Sequence, residues 1–236
     1  LHVRSRRQRQ MCIRDRLRQI GKIRTGERYT TVLNSFGRFR RDVEVPWDEV
    51  DSDLMIEYET YLKSRGVCPN TSSYYMRGLR AIYNRAVEKK MTVQRDPFKY
   101  VYTGIGKTVK RAVPLKVIRQ IRDMDLALFP AMDFARDIFM FSFYTRGMSF
   151  IDMAYLKKKD LQNGILSYRR QKTGQQLFVK WEKPMQEIVD KYDTVSTPYL
   201  LPVIKDMNAD ARRQYKNAAH LVNDKLKKLG VRLGLD

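Results

Sequence analysis

The sequence predicts a mainly α-helical chain built as two units, the second interrupted by one β-hairpin. Three observations carry that expectation. Apolar residues recur at helical spacing through residues 27–104, and Pro130–Tyr144 is apolar almost all round. The only convincing strand signal, Gly164–Arg170 with Gln175–Trp181, flanks a Lys172-Thr173-Gly174 turn. A chain of 236 residues can hold one large domain or two small ones, each with a real core.

Charge narrows the function. Lys and Arg number 47 against 26 Asp and Glu, a net +21. A field of that size favours a polyanionic partner, most simply nucleic acid, and argues against an acidic-site metalloenzyme. Apolar residues at 43% and aromatics at 11% are too abundant for a disordered basic tail. The two cysteines, Cys12 and Cys68, make no disulfide framework, so a reducing, cytoplasmic setting is the default. There is no run of 18 apolar residues and no apolar signal stretch at the start, so the reading is a soluble protein without a membrane partner.

Leu1–Arg16 differs from the rest. It holds six arginines and one aspartate with no period, which fits a basic arm reaching for phosphates. The competing and preferred reading is a non-native segment, because Gln10–Arg16 resembles translated sequencing-adapter reads. It is set aside from the fold, and the remainder is still strongly basic.

Residues 17–104 form the first unit. Tyr29, Leu33, Phe36 and Phe39 mark one helix, and Val50, Leu54, Tyr58, Tyr61 and Leu62 mark a second across Pro46–Arg65. A third begins after Pro69, with Asn70, Thr71 or Ser72 as N-cap. On it Met76, Leu79, Tyr83 and Ala86 make an apolar stripe, while Ser73, Arg77, Arg80, Asn84 and Glu88 make a polar one. That polar stripe is either a solvated face or a surface offered to base edges in a major groove.

Val101–Pro114 reads as a linker, its centre at 105–113, with the basic residues Lys107, Lys110 and Arg111. Gly104-Ile-Gly-Lys-Thr108 invites a phosphate-loop reading. It fails, because the first glycine of that motif would fall on Val101.

The second unit, 114–236, opens on a helix carrying Leu115, Ile118 and Ile121. The apolar Pro130–Tyr144 helix follows and is broken by Gly147, and a short helix runs from Ser149 to about Lys158. After the hairpin, helices are expected at Lys183–Tyr192 and Asp206–Leu229. No metal-ligand cluster is visible, and His220, alone on a basic amphipathic helix, reads as a surface or packing residue.

Two strings and the helical unit together carry a family resemblance. Phe143-Tyr-Thr-Arg-Gly-Met-Ser-Phe-Ile-Asp-Met-Ala-Tyr-Leu156 resembles the first active-site box of the tyrosine recombinases, the phage-integrase family. Tyr168-Arg-Arg-Gln-Lys-Thr-Gly174 resembles the hairpin that carries that family's catalytic lysine, and Asn70–Val87 resembles its SAM-like core-binding domain. The resemblance covers about residues 20–236, and its closest flavour is the integrases of Bacteroides-type mobile elements.

The resemblance implies a C-shaped clamp on duplex DNA and, in a complete enzyme, a homo-tetramer at the bacterial nucleoid. It implies cofactor-free and metal-free phosphoryl transfer, in which a tyrosine forms a 3′-phosphotyrosyl link and frees a 5′-hydroxyl. Arginine forks stabilise the pentacoordinate phosphate, and a lysine ammonium protonates the leaving alkoxide. Lys172 matches that lysine, with Arg169 and Arg170 available to phosphates beside it; the plainer reading of Lys172 is an exposed turn lysine.

The first box departs from the family. The usual arginine position is Ser149, with Asp152 in the acid position. Arg146 lies three residues upstream, at most about 10 Å of chain, and is taken as the substitute arginine, with Asp152 orienting its neighbours. Two plainer roles compete: Arg146 complementing a helix dipole, and Ser149 with Asp152 forming a capping box. Nothing after Lys172 reads His-x-x-Arg, His220 being followed by Leu221, Val222 and Asn223, and none of the 14 tyrosines stands in the nucleophile's context. The chain therefore reads as a C-terminally truncated integrase, or alternatively as a non-catalytic duplex-DNA-binding protein derived from one. Truncation would leave Leu221, Leu226 and Leu229 without packing partners.

Overall fold

The computed structural model describes residues 23–108 and 112–235. Leu1–Arg16, Lys110 and Arg111 lie outside the described residues. The chain forms two compact units that divide between Lys110 and Arg111.

In the first unit, α1 (Ile23–Phe39), α2 (Ser52–Ser64) and α3 (Pro69–Glu88) enclose one core. The single helix expected across Pro46–Arg65 is instead a 3-10 turn, Trp47–Glu49, followed by α2. Asp51 makes the break: its carboxylate accepts the Leu54 N–H at 2.9 Å and starts α2 afresh. The α3 start also differs from expectation. Cys68 is the N-cap and Pro69 the first helical residue, where its missing N–H costs nothing, so Asn70, Thr71 and Ser72 lie inside the helix.

Met76, Leu79, Tyr83 and Ala86 are all buried, the first three in one core with Val32 and Phe36 of α1 and Met55, Tyr58 and Leu62 of α2. Full burial of each large apolar side chain contributes about 1.5–3 kcal/mol. Gly78 sets the spacing of α1 and α3, since a Cβ there would sit 2.5 Å from Val32 Cγ2. The Tyr58 hydroxyl lies wholly inside this core, 2.8 Å from Ser35 Oγ, and burial pushes its phenol up to about 12.

The polar stripe of α3 does not all face water. Ser73 is fully buried, with its hydroxyl donating to the Gly104 carbonyl. The Gly106 N–H donates to Asn70 Oδ1 at 2.7 Å, and Asn70 Nδ2 donates back to the Gly106 carbonyl at 3.2 Å. The Tyr102 N–H donates to Glu59 Oε1 at 2.9 Å, and Val101 is buried. Residues 101–106, read from sequence as linker, thus run back along α3 as part of the first unit.

The second unit contains α4 (Leu115–Arg122), α5 (Pro130–Tyr144), α6 (Phe150–Ala154), a 3-10 turn at Lys158–Asp160, β1 (Leu161–Gln162), β2 (Ile165–Arg169), β3 (Gln176–Lys180), α7 (Lys183–Asp190) and α8 (Ala211–Arg232). The strands form one antiparallel sheet in the order β1-β2-β3, with Leu166 opposite Val179 and Arg169 opposite Gln176. Period-two alternation turns Leu166, Tyr168 and Val179 inward. They meet Ala135, Ile138 and Phe141 of α5, Met153 and Ala154 of α6, and Val222 of α8. The helix read from Ser149 to about Lys158 ends at Ala154 and resumes only as the 3-10 turn.

Two expectations change here. Phe143 is 44% exposed although Phe141 is fully buried; two residues are about 200° apart on a helix, so α5 keeps an open side. Of the α8 leucines only Leu221 is exposed, whereas Leu229 is buried and Leu226 packs on the core. Leu226 and Leu229 therefore have the partners that sequence reasoning denied them.

A charged network fastens α5 to the end of α7. The buried Asp137 carboxylate accepts from Arg136 Nε at 3.0 Å, Lys191 Nζ at 2.8 Å and the Tyr192 hydroxyl at 2.7 Å. Asp133 pairs with both Arg136 and Lys191. Burial, reinforced by the Asp137 carboxylate, pushes the Tyr192 phenol far up. No helix among the described residues is long and apolar enough to cross a membrane.

Candidate functional site

The turn between α5 and α6 is tightly specified. The Thr145 N–H closes on the Phe141 carbonyl at 2.9 Å, the Gly147 N–H reaches the Ser142 carbonyl at 2.7 Å, and Ser142 Oγ donates to the Met148 carbonyl at 2.8 Å. Buried Met148 pins the turn to the core. Arg146 at its apex has φ 60°, a left-handed conformation that costs a non-glycine residue about 1–2 kcal/mol. Its side chain is exposed.

Ser149 caps α6 by backbone alone. Its hydroxyl donates to Asp152 Oδ2 at 2.6 Å, while Asp152 Oδ1 accepts the Gln171 N–H at 2.8 Å. A capping box would point both side chains at amides of their own helix turn. Here the buried Asp152 carboxylate spends one oxygen on the β-hairpin instead.

The hairpin turn is equally defined. The Arg170 N–H donates to the Gln175 carbonyl and the Gly174 N–H to the Arg170 carbonyl, each at 2.8 Å. Gly174 has φ 71°, a conformation glycine adopts at little cost. Arg169 Nη1 donates to the Gly174 carbonyl at 3.0 Å. Lys172 stands exposed at the tip, next to the anchored Gln171. A cleft of about 300 Å³ opens beside the Asp152 anchor, lined by Tyr168, Arg169, Gln171, Lys157 and Lys159 among others. Burial and the Asp152 charge raise the Tyr168 phenol above its ordinary value.

Of the residues singled out from sequence, Ser149 and Asp152 are joined directly, and the hairpin is joined to them one residue before Lys172. Arg146 and Lys172 make no side-chain hydrogen bond among the described residues. Arg170 is half-buried and Arg169 exposed. On α3, Arg80 and Asn84 are exposed; Arg77 is half-buried, its Nε donating to the Ser73 carbonyl at 3.4 Å. Ser73, wholly buried, is a packing residue and not a surface contact. Lys107 is exposed, and His220 lies exposed on α8.

Sequence reasoning passed over Lys157 and Lys159, which line the cleft; the Lys157-Lys158-Lys159 run was the available signal. Among the described residues, no three His, Cys, Asp or Glu side chains gather as a metal site.

Comparison with known proteins agrees with this anatomy. Residues 13–104 match the family model of the phage integrase SAM-like domain. No curated protein sequence matches the chain. Among solved structures, a lambda integrase tetramer bound to a Holliday junction is similar at TM-score 0.63 and 12% identity, over 89% of this chain and 62% of that one. A lambda integrase(75-356) dimer bound to a COC′ core site is similar at TM-score 0.56 and 14% identity, over 89% of this chain and 80% of that one. Lambda integrase residues 75–356 bound to DNA give TM-score 0.57 and 13% identity, over 91% and 78% of the two chains. The chain thus carries a phage integrase SAM-like domain over residues 13–104 and shares the fold of lambda integrase.

Proposed function

We propose that the chain serves site-specific DNA recombination or integration. In this reading it grips duplex DNA through the SAM-like unit and offers Arg146 and Lys172 to one backbone phosphate. The observation that carries it is the Asp152 bridge. One buried carboxylate holds both the start of α6, three residues after Arg146, and the hairpin, one residue before Lys172. Two cations on separate elements gain a common support, as electrostatic preorganisation requires.

The chemistry divides among these groups. The Arg146 guanidinium takes two non-bridging phosphate oxygens and offsets the charge of the pentacoordinate state. A tyrosine oxygen bonds to phosphorus as the P–O5′ bond breaks, and Lys172 gives its proton to the leaving 5′-oxygen. No tyrosine of residues 1–236 is assigned to that role. Asp152 positions the hairpin and does not touch the phosphate. The net +21 charge supports duplex binding, and the DNA-bound lambda integrase dimer and tetramer support assembly of several copies on DNA.

One observation favours a second reading, a duplex-DNA-binding protein without strand cleavage: Ser149 stands at the usual arginine position of the first box. A nicked suicide DNA substrate, resolved on a denaturing gel, separates the two. On the second reading the 236-residue chain gives no slow-migrating adduct, yet binds duplex with an affinity that falls steeply as salt rises. An adduct assigns the nucleophile to one of its own tyrosines. Binding that ignores salt sinks both readings.

A further inference from the structure

The sheet of the second unit leaves one edge and one face open. In the order β1-β2-β3, strand β3 pairs with β2 alone. The Arg170 N–H reaches the Gln175 carbonyl and the Trp181 N–H the Gly164 carbonyl, each at 2.8 Å. Antiparallel pairs alternate between bonded and non-bonded, so Leu177 and Val179 turn their backbone groups towards β2 as well. The N–H and C=O groups of Gln176, Phe178 and Lys180 therefore point to the free edge. The same three side chains stand on the outer face, beside Ile165, Ser167 and Arg169 of β2. Phe178 is 68% exposed and Ile165 48%, whereas the inner-face side chains are buried or half-buried. Gln176 Nε2 donates to Ser167 Oγ at 2.7 Å and leaves Phe178 uncovered. Lys180, opposite Ile165, makes no ion pair among the described residues, and no outward position of β2 or β3 carries a carboxylate.

These features define the occupant together. Open N–H and C=O groups suit an extended backbone, which bonds to them as an added strand. Phe178 and Ile165 suit apolar or β-branched side chains on the near face of that strand. Lys180, with Arg169 at the other end of the face, suits carboxylates at the alternate positions. Lysine on an edge discourages indiscriminate pairing, and the same charge selects an acidic partner. A second copy of this chain does not fit. Its own β3 offers no acid to Lys180, and chains of net +21 repel one another. We infer that the β3 edge is a docking surface for an extended segment of another protein, with an apolar residue facing Phe178 and an acidic one, two positions along, facing Lys180. The inference does not depend on the proposed phosphate chemistry at Arg146 and Lys172.

The test titrates the full 236-residue chain, isotope-labelled for NMR, with three synthetic peptides at physiological salt, which screens its general charge. The first peptide alternates valine and glutamate on one face of a strand, with threonine between them. The second has lysine for glutamate. The third has proline for threonine, which removes backbone donors and keeps the charge. The first should shift the amide signals of Gln176, Phe178 and Lys180 and slow their hydrogen exchange, and the third should do neither. Phe178→Thr places a good strand former at an exposed position. It should weaken the first peptide by roughly fivefold or more and leave the melt unchanged. Lys180→Glu should move the ratio of affinities towards the lysine peptide. If the proline peptide binds as well as the first, the contact is charge alone and the strand-docking inference is wrong. It is equally wrong if no peptide moves those amides, or if Lys180→Glu leaves the ratio unchanged. Self-association through Phe178, or protection of the same three amides by duplex DNA, would assign the surface to a different occupant and overturn it.

Discussion

Asp152 Oδ1 accepts the backbone N–H of Gln171 at 2.8 Å, so the residue before Lys172 is tied to the helix whose N-cap, Ser149, lies three residues after Arg146. The two lie nineteen residues apart, and this bond converts a hairpin tip into a fixed element of the site. Asp152→Ala removes the acceptor and leaves a donor without its partner. It should destabilise the second unit by about 2–4 kcal/mol and speed amide exchange at Gln171. Asp152→Asn should fall between, because its amide oxygen can still accept from Gln171 while its NH2 donates to Ser149. Unchanged exchange at Gln171 in Asp152→Ala would show that the bond does not hold the hairpin.

How much of this was legible in sequence depends on range. Met76, Leu79, Tyr83 and Ala86 announce themselves, because a 3.6-residue period is local and each is buried. Ser73 sits in the same helix but is buried by Gly104, and no local pattern announces a partner thirty-one residues away. The Phe143–Leu156 string suggests Asp152 as an orienting residue, yet what it orients is visible only where β2 and β3 bring Gln171 alongside. The α3 start went to Cys68 because Pro69 suits the first helical position, which outweighs the capping preference of Asn70, Thr71 or Ser72. The packing of Leu226 and Leu229 was likewise hidden, since it depends on residues distant in the chain.

Tyr58 gives the first unit an alkaline limit. Burial raises its phenol from 10.0 to about 12, so the folded state holds the proton more tightly than the unfolded chain. The associated stability is whole below pH 10 and is lost as pH rises towards 12, about 3 kcal/mol over that window. Tyr58→Phe should flatten this fall. At neutral pH it should cost about 1 kcal/mol, for the lost hydrogen bond to Ser35. Melts of the two proteins from pH 8 to 12 check both signs; parallel curves would remove Tyr58 as the cause.

Gly78 tests the α1–α3 contact. A Cβ at this position would lie 2.5 Å from Val32 Cγ2, on a stiff β-branched side chain inside the core. Gly78→Ala gains about 1 kcal/mol in helix propensity and should still destabilise by about 1–3 kcal/mol through overpacking. Adding Val32→Ala should recover part of the loss, so the pair shows positive coupling in a double-mutant cycle. Simple additivity would mean that the helices separate freely and that the spacing has another origin.

On the proposed function, Arg146 is where stability and chemistry pull apart. Its φ of 60° favours glycine, so the turn would be easier without it. Arg146→Gly should stabilise the second unit by about 0.5–1 kcal/mol, raising its melt by about 2–4 °C. Arg146→Ala keeps the strained backbone and should bring no such gain. Neither variant has a guanidinium. In a version of the chain that cleaves DNA, both should lose at least about 10²–10³ in strand cleavage, the scale of one preorganised charge donor, with most duplex binding retained. Ser149→Arg in the Arg146→Ala background supplies a guanidinium three residues along, and recovered cleavage would assign both positions to one phosphate pocket. If Arg146→Gly melts higher and cleaves at the parental rate, the strained arginine serves no phosphate and the charge comes from another residue. If it melts lower, the guanidinium contributes more to the fold than the turn costs it.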